Sequence, residues 1–124
     1  MIGRLLALGL AFLPASALAA TGYTATTAAS SALVVKSQGA SLYDVNIVSG
    51  AAAGYVLVID ANAVPADGAV TPALCLPVAA NTGIDLNMRA EPVRFVTGVV
   101  IVFSTTGCFT KTASATAFIS ASAM

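Results

Sequence analysis

The apolar residues of this chain come in short runs beyond position 31, spaced roughly every 8 to 14 residues and each cut off by turn-forming residues. The two longest uninterrupted runs, residues 55–59 and 99–103, are dominated by Val and Ile. Branching at Cβ suits a pleated strand better than a helix, and a membrane-spanning helix needs about 20 apolar residues. Both runs are apolar on two faces, so both predict strands that are central or covered by something, whether a second sheet and long loops or neighbouring subunits. The other segments alternate. Tyr43, Val45 and Ile47 oppose Asp44 and Asn46; Leu74, Leu76 and Val78 share one face; Ile84, Leu86 and Met88 alternate with Asp85, Asn87 and Arg89. Leu33, Val34 and Val35 begin the series, and residues 115–121, carrying Phe118 and Ile119, close it. Pro77 lacks an N–H and predicts an edge strand. Pro65-Ala66-Asp67-Gly68 has the residues of a turn, with Gly where a positive φ is needed.

These patterns predict an all-β chain. Its economical form is an antiparallel two-sheet β-sandwich of seven or eight strands, with a jelly-roll-like arrangement also compatible. The sandwich domain occupies residues 32–124. Residues 20–31, rich in Thr, Ala and Ser, read as an extended or flexible arm. Ahead of it, residues 1–19 have the layout of a secretory signal peptide: Arg4, an uncharged apolar run over 5–13, Pro14, then small residues at Ala15, Ala17 and Ala19. A signal-like helix cleaved after Ala19 is the expectation. In that case no membrane segment remains, and the mature protein is periplasmic or extracellular.

Export gives the two cysteines, Cys75 and Cys108, a context. An oxidising compartment and the small core of a mature domain of about 100 residues favour a disulfide, while two buried free thiols are the alternative. A metal role is disfavoured, because two cysteines without histidine lack enough soft ligands.

Composition narrows the function. Charged residues make up 8% of the chain, against about 25% in average proteins. The net charge is zero, and Arg4, Lys36, Arg89, Arg94 and Lys111 are scattered, so no basic stripe offers itself to nucleic acid. The absence of histidine removes most triad and zinc chemistry. The mean hydropathy of +0.94 overstates the core, because 27 residues are alanine and alanine buries little area.

Five carboxylates remain: Asp44, Asp60, Asp67, Asp85 and Glu91. Acid/base hydrolysis needs two of them facing each other across a cleft. Asp44 and Asp85 fall on the polar phase of alternating strands, where solvent exposure explains them, and Asp60 and Asp67 belong to a turn. The loop from Asp60 through Asn62 to Gly68 offers oxygen ligands but lacks the spacing of a calcium-binding EF loop, so a capped turn is the simpler reading. The expectation is therefore a protein without catalytic residues, cofactor or metal. Most aromatics fall on strand phases that predict core, and Phe109, next to Cys108, is the candidate exposed contact. With outward positions filled by Ala, Ser, Thr and Asn, little charge repulsion keeps copies apart, which favours self-assembly.

Three segments carry a resemblance: residues 49–58 (SGAAAGYVLV), 65–72 (PADGAVTP) and 103–111 (FSTTGCFTK). Here the chain resembles small β-rich virion structural or decoration-type proteins of tailed phages and prophages, from about Gly22 to the C-terminus. The resemblance lies in turn and strand phrases. It implies a non-enzymatic virion subunit acting through assembly with itself or with other virion proteins, and it carries over no active-site residue. The leader departs from that pattern, since a subunit sent across a membrane misses assembly in the cytoplasm. A virion location follows if the leader is not used. Otherwise an exported β-sandwich binding module, adhesin-like or carbohydrate-binding with a glycan as partner, is the alternative.

Overall fold

The computed structural model describes residues 22–124. The expected leader helix and its cleavage site lie outside the described residues. Eleven strands follow in order: β1 (Tyr23–Ala25), β2 (Ala32–Lys36), β3 (Ala40–Val48), β4 (Gly54–Asp60), β5 (Gly68–Ala69), β6 (Leu74–Val78), β7 (Gly83–Asn87), β8 (Val93–Phe95), β9 (Val99–Ser104), β10 (Thr110–Lys111) and β11 (Phe118–Ala123). The described residues contain no helix. All pairings are antiparallel. One sheet has the order β1-β11-β3-β7, with β8 also paired to β3. A second has the order β2-β9-β4-β6, and β5 with β10 forms a separate ribbon. The all-β antiparallel expectation holds. The strand number and the two-sheet limit do not, because β1, β5, β8 and β10 are two or three residues long and too short to show an alternating pattern.

The two larger sheets share one apolar core in a sandwich-like arrangement. Leu42, Val45 and Ile47 of β3, Ile119 and Ala121 of β11, Val56 and Val58 of β4, and Ile101 and Phe103 of β9 belong to a single buried cluster. The doubly apolar runs are indeed central: β4 and β9 lie inside their sheet, and all six positions of β9 are buried. Their outer faces form a second cluster of Leu57, Ile59, Val100 and Val102, packed against Ala61, Val70, Cys75 and Cys108. The chain covers this face with its own loops rather than leaving it to a neighbouring subunit.

That cover is stapled in three ways. Cys75 on edge strand β6 is joined to Cys108 by a disulfide with a Cα–Cα separation of 5.8 Å, within the ordinary range for such links. The β5–β10 ribbon pairs Gly68 with Lys111 and Ala69 with Thr110. Lys111, only 4% exposed, sends its Nζ to Asp67 Oδ1 at 2.5 Å, so the buried stem ends on a charge partner at the surface. Gly68 has φ of +129°, the conformation for which the Pro65-Ala66-Asp67-Gly68 turn requires glycine. Pro77 sits on the edge strand, as its missing donor demands.

The pairing refines two expectations. Over the part described, the 20–31 segment is extended, one of the two forms expected of it, but it is not free. Tyr23, Thr24 and Ala25 pair with Ser122, Ala121 and Ser120, and the Thr26 and Ser30 amides donate to Ile119 and Ala117 carbonyls. The edge of β11 offers donors and acceptors that a Thr-rich segment of high β-propensity satisfies. Tyr43, in turn, does not share the inward face with Val45 and Ile47. Opposite β11 the register steps from Asp44↔Ser122 to Leu42↔Ala123, a bulge with one extra residue on β3. Leu42 and Val45 are both buried, so the phase of alternation changes between them.

Two perturbations test this packing. A Cβ added at Gly54 would strike the Ser104 carbonyl oxygen and lie 2.9 Å from Phe103 Cζ. Gly54→Ala should therefore lower unfolding free energy in urea by about 1–3 kcal/mol through overpacking. Removing the disulfide in the double variant Cys75→Ala/Cys108→Ala should cost about 3 kcal/mol. It should also raise hydrogen exchange selectively at Leu57, Val100 and Val102, the residues beneath the stapled loops; uniform loss of protection would contradict a local cover.

Candidate functional site

The outer face of the five-stranded sheet is built by cross-strand rows. One row reads Tyr23, Ser122, Asp44, Asn87; the next reads Ala25, Ser120, Asn46, Asp85; the third reads Phe118, Val48, Gly83. The bulge adds Tyr43 beside Asp44, because both residues between the buried Leu42 and Val45 are displaced from the core face. This arrangement concentrates charged and aromatic side chains on one solvent-facing surface of a chain that carries few of either.

Asp44 is its centre. It is 9% exposed, although its strand phase predicts a wet residue, because Tyr23 and Arg89 close over it. Tyr23 Oη donates to Asp44 Oδ2 at 3.1 Å, and Arg89 Nη2 lies 3.7 Å from the same oxygen. Arg89 is set by a local turn in which its own N–H donates to Asn87 Oδ1 at 3.0 Å. Asp44 Oδ1 is buried and has no hydrogen-bond partner. Asp85 lies diagonally across from Asp44 in the β3–β7 register. Its carboxyl is held above the ordinary value by a hydrogen bond shared with Asp44, then by desolvation and by Asp44's charge, with Arg89 pulling the other way. The two carboxylates expected to stand apart in solvent thus meet, on an open sheet face.

Asp60 and Asp67 do structural work. Asp60, at the end of β4, accepts N–H bonds from Val96, Thr97 and Gly98 at 3.1, 2.8 and 3.2 Å. Those three bonds hold its carboxyl below the ordinary range and fasten the β8–β9 turn to β4. Asp67 is lowered by Lys111 first and by the Ala113 N–H second. The two carboxylates of the loop considered for calcium are therefore already engaged in holding turns. A shallow hollow of about 280 Å³ is lined by Ala25–Ser30 and contains no titratable side chain.

The candidate exposed contact, Phe109, is 70% exposed beside the disulfide. Phe95 and Phe103 are core, but Tyr23 and Phe118 are 45% and 44% exposed, against the reading of most aromatics as interior. The missed signal was a repeated tripeptide: Asp44-Val45-Asn46 on β3 and Asp85-Leu86-Asn87 on β7. Antiparallel pairing sets each Asp opposite the other's Asn. No family model, curated protein or solved structure matches the chain.

The titration of this surface has a definite sign. Asp85, raised in the folded state, stabilises the protein while protonated, so stability declines as pH rises above the ordinary value of 3.8 and through its folded value. Asp60 and Asp67, lowered, contribute above 3.8 and lose that contribution as pH falls through their folded values. Urea unfolding measured across pH should show both limbs. Asp85→Asn should flatten only the limb above 3.8, and an unchanged limb would contradict the shared hydrogen bond.

Proposed function

We propose that the chain is an exported, non-catalytic β-sandwich binding module, and that the outer face of the five-stranded sheet binds a glycan. The observation that carries this reading is the Tyr23–Asp44–Asp85–Arg89 group on a solvent-facing sheet, flanked by Tyr43, Asn46, Asn87 and Ser120. Sugar rings present apolar C–H faces that pack on aromatic rings. Their paired hydroxyls are matched by carboxylates and amides, which accept or donate on two atoms at once. The Cys75–Cys108 disulfide suits an oxidising compartment, in keeping with the signal-like leader.

Assembly as a virion-type structural subunit is the second reading, favoured by Phe109 at 70% and Val96 at 77% exposure. One of its two supports has gone, because the outer faces of β4 and β9 are covered by the chain's own loops. The low surface charge remains.

A glycan array with the mature protein separates the two. Retention of a monomer is expected, with Tyr23→Ala weakening it by about fivefold for one lost aromatic contact of about 1 kcal/mol. No retained glycan, together with a discrete oligomer by light scattering, would replace this reading with assembly.

A further inference from the structure

Residues 22–31 are held to the fold mainly by backbone bonds. β1 pairs along β11 as Tyr23↔Ser122, Thr24↔Ala121 and Ala25↔Ser120. The Ala123 N–H donates to the Gly22 carbonyl, the Thr26 N–H donates to the Ile119 carbonyl, and Ser30 and Ala117 exchange bonds in both directions. Side chains across this seam add the Tyr23–Asp44 bond and Thr26 Oγ1, which accepts the Ile119 N–H. No residue of the segment belongs to either buried apolar cluster. The strand beneath it is the opposite case: Ile119, Ala121 and Ala123 of β11 are fully buried. β1 therefore shields the edge of a core strand without being part of the core.

The link that follows is built to move. Thr27, Ala28 and Ala29 are exposed and make no backbone hydrogen bond to the described residues. They carry the chain from β1 at the rim of one sheet to β2 at the rim of the other, around a shallow hollow lined by residues of the link itself. Lifting β1 away breaks a row of backbone bonds and one tyrosine contact, but moves no core side chain. It leaves the edge of β11 unpaired, a template that any extended chain of fitting register can occupy. Residues 22–26 of a second copy fit that register by identity, and each bond they make replaces one given up. The net charge of zero puts no repulsion in the way.

We propose that residues 22–26 exchange between two copies of this chain, each β1 pairing with β11 of the other about a hinge at Thr27–Ala29. The exchange is reciprocal, so it closes at a dimer. Tyr23 then reaches Asp44 of the opposite copy, and the polar face of each five-stranded sheet is completed by a residue from its partner. Because the bonds gained match the bonds lost, the balance is set by the effective concentration of β1 in its own chain. For a short flexible link that is on the order of millimolar. Monomer dominates in dilute solution and the exchanged pair where the protein is concentrated. The dimer goes beyond the glycan reading: it concerns which copy supplies Tyr23, whatever the face binds.

Cross-linking across the register tests the exchange. Ala25 and Ser120 stand opposite each other, so the double variant Ala25→Cys/Ser120→Cys, oxidised in dilute solution, should close a bond within one chain. That product shows that both substitutions fold and pair; its absence would overturn the pairing from which the exchange is drawn. The single variants Ala25→Cys and Ser120→Cys, mixed at about 1 mM, should give a disulfide-linked heterodimer identified by mass. Its yield should be about tenfold or more above that from Ala25→Cys mixed with Glu91→Cys, an exposed position outside the seam, and should fall about tenfold or more when the mixture is re-equilibrated at about 10 µM before oxidation. A yield equal to the Glu91→Cys control would overturn the exchange, as would light scattering that finds only monomer in the unmodified protein at about 1 mM. Either result leaves β1 as a strand closed within its own chain. Glycan retention is read on dilute monomer, so the two proposals fail separately.

Discussion

The structure depends on keeping both faces of β9 and β4 dry. These strands carry the longest uninterrupted apolar runs among the described residues, and each fully buried Val, Leu, Ile or Phe on them stabilises the fold by about 1.5–3 kcal/mol relative to exposure. On one face the requirement is met in the usual way, by a second sheet. On the other it is met by loops, which bury apolar surface poorly unless tied down. The Cys75–Cys108 link, the β5–β10 ribbon and the Asp67–Lys111 pair supply that restraint. A loop cover tied by the disulfide at one point and by the ribbon with its ion pair at another substitutes here for a third sheet, and it explains why so small a domain includes both a disulfide and a buried lysine.

The five-stranded sheet is under no such demand. Only its inner face contributes to the core, so its outer face is free to carry polar groups and to concentrate them. The β3 bulge is the device that does so. It lets Leu42 and Val45 both point inward while Tyr43 and Asp44 are released to the other side. Charge is scarce in this chain, and Asp60 and Asp67 are committed to holding turns. The meeting of Asp44, Asp85 and Arg89 on one face therefore stands out against an otherwise Ala-, Ser- and Thr-filled surface.

Much of the architecture was legible from residue order. The doubly apolar runs are central strands, Pro77 marks an edge, Gly68 takes the positive φ of its turn, and Leu74, Leu76 and Val78 pack against one core. The short strands were hidden, since two or three residues such as Thr110-Lys111 or Val93-Arg94-Phe95 carry no period. The site was partly visible as two Asp-x-Asn tripeptides, but alternation alone assigned both aspartates to solvent. Burial of Asp44 comes from Tyr23 and Arg89, which lie 21 and 45 positions away in sequence and reach it only through pairing.

Sequence by itself determined the class of structure, because period-two alternation, β-branched runs and turn residues act locally and leave an all-β antiparallel chain as the consistent outcome. It also determined the chemical poverty of the surface, which is a matter of composition. Only the tertiary structure decided which side of each strand is covered and by what, for burial depends on partners distant in the chain. A one-residue bulge reverses every assignment beyond it, and register alone brings Asp44, Asn46, Asp85 and Asn87 to one square.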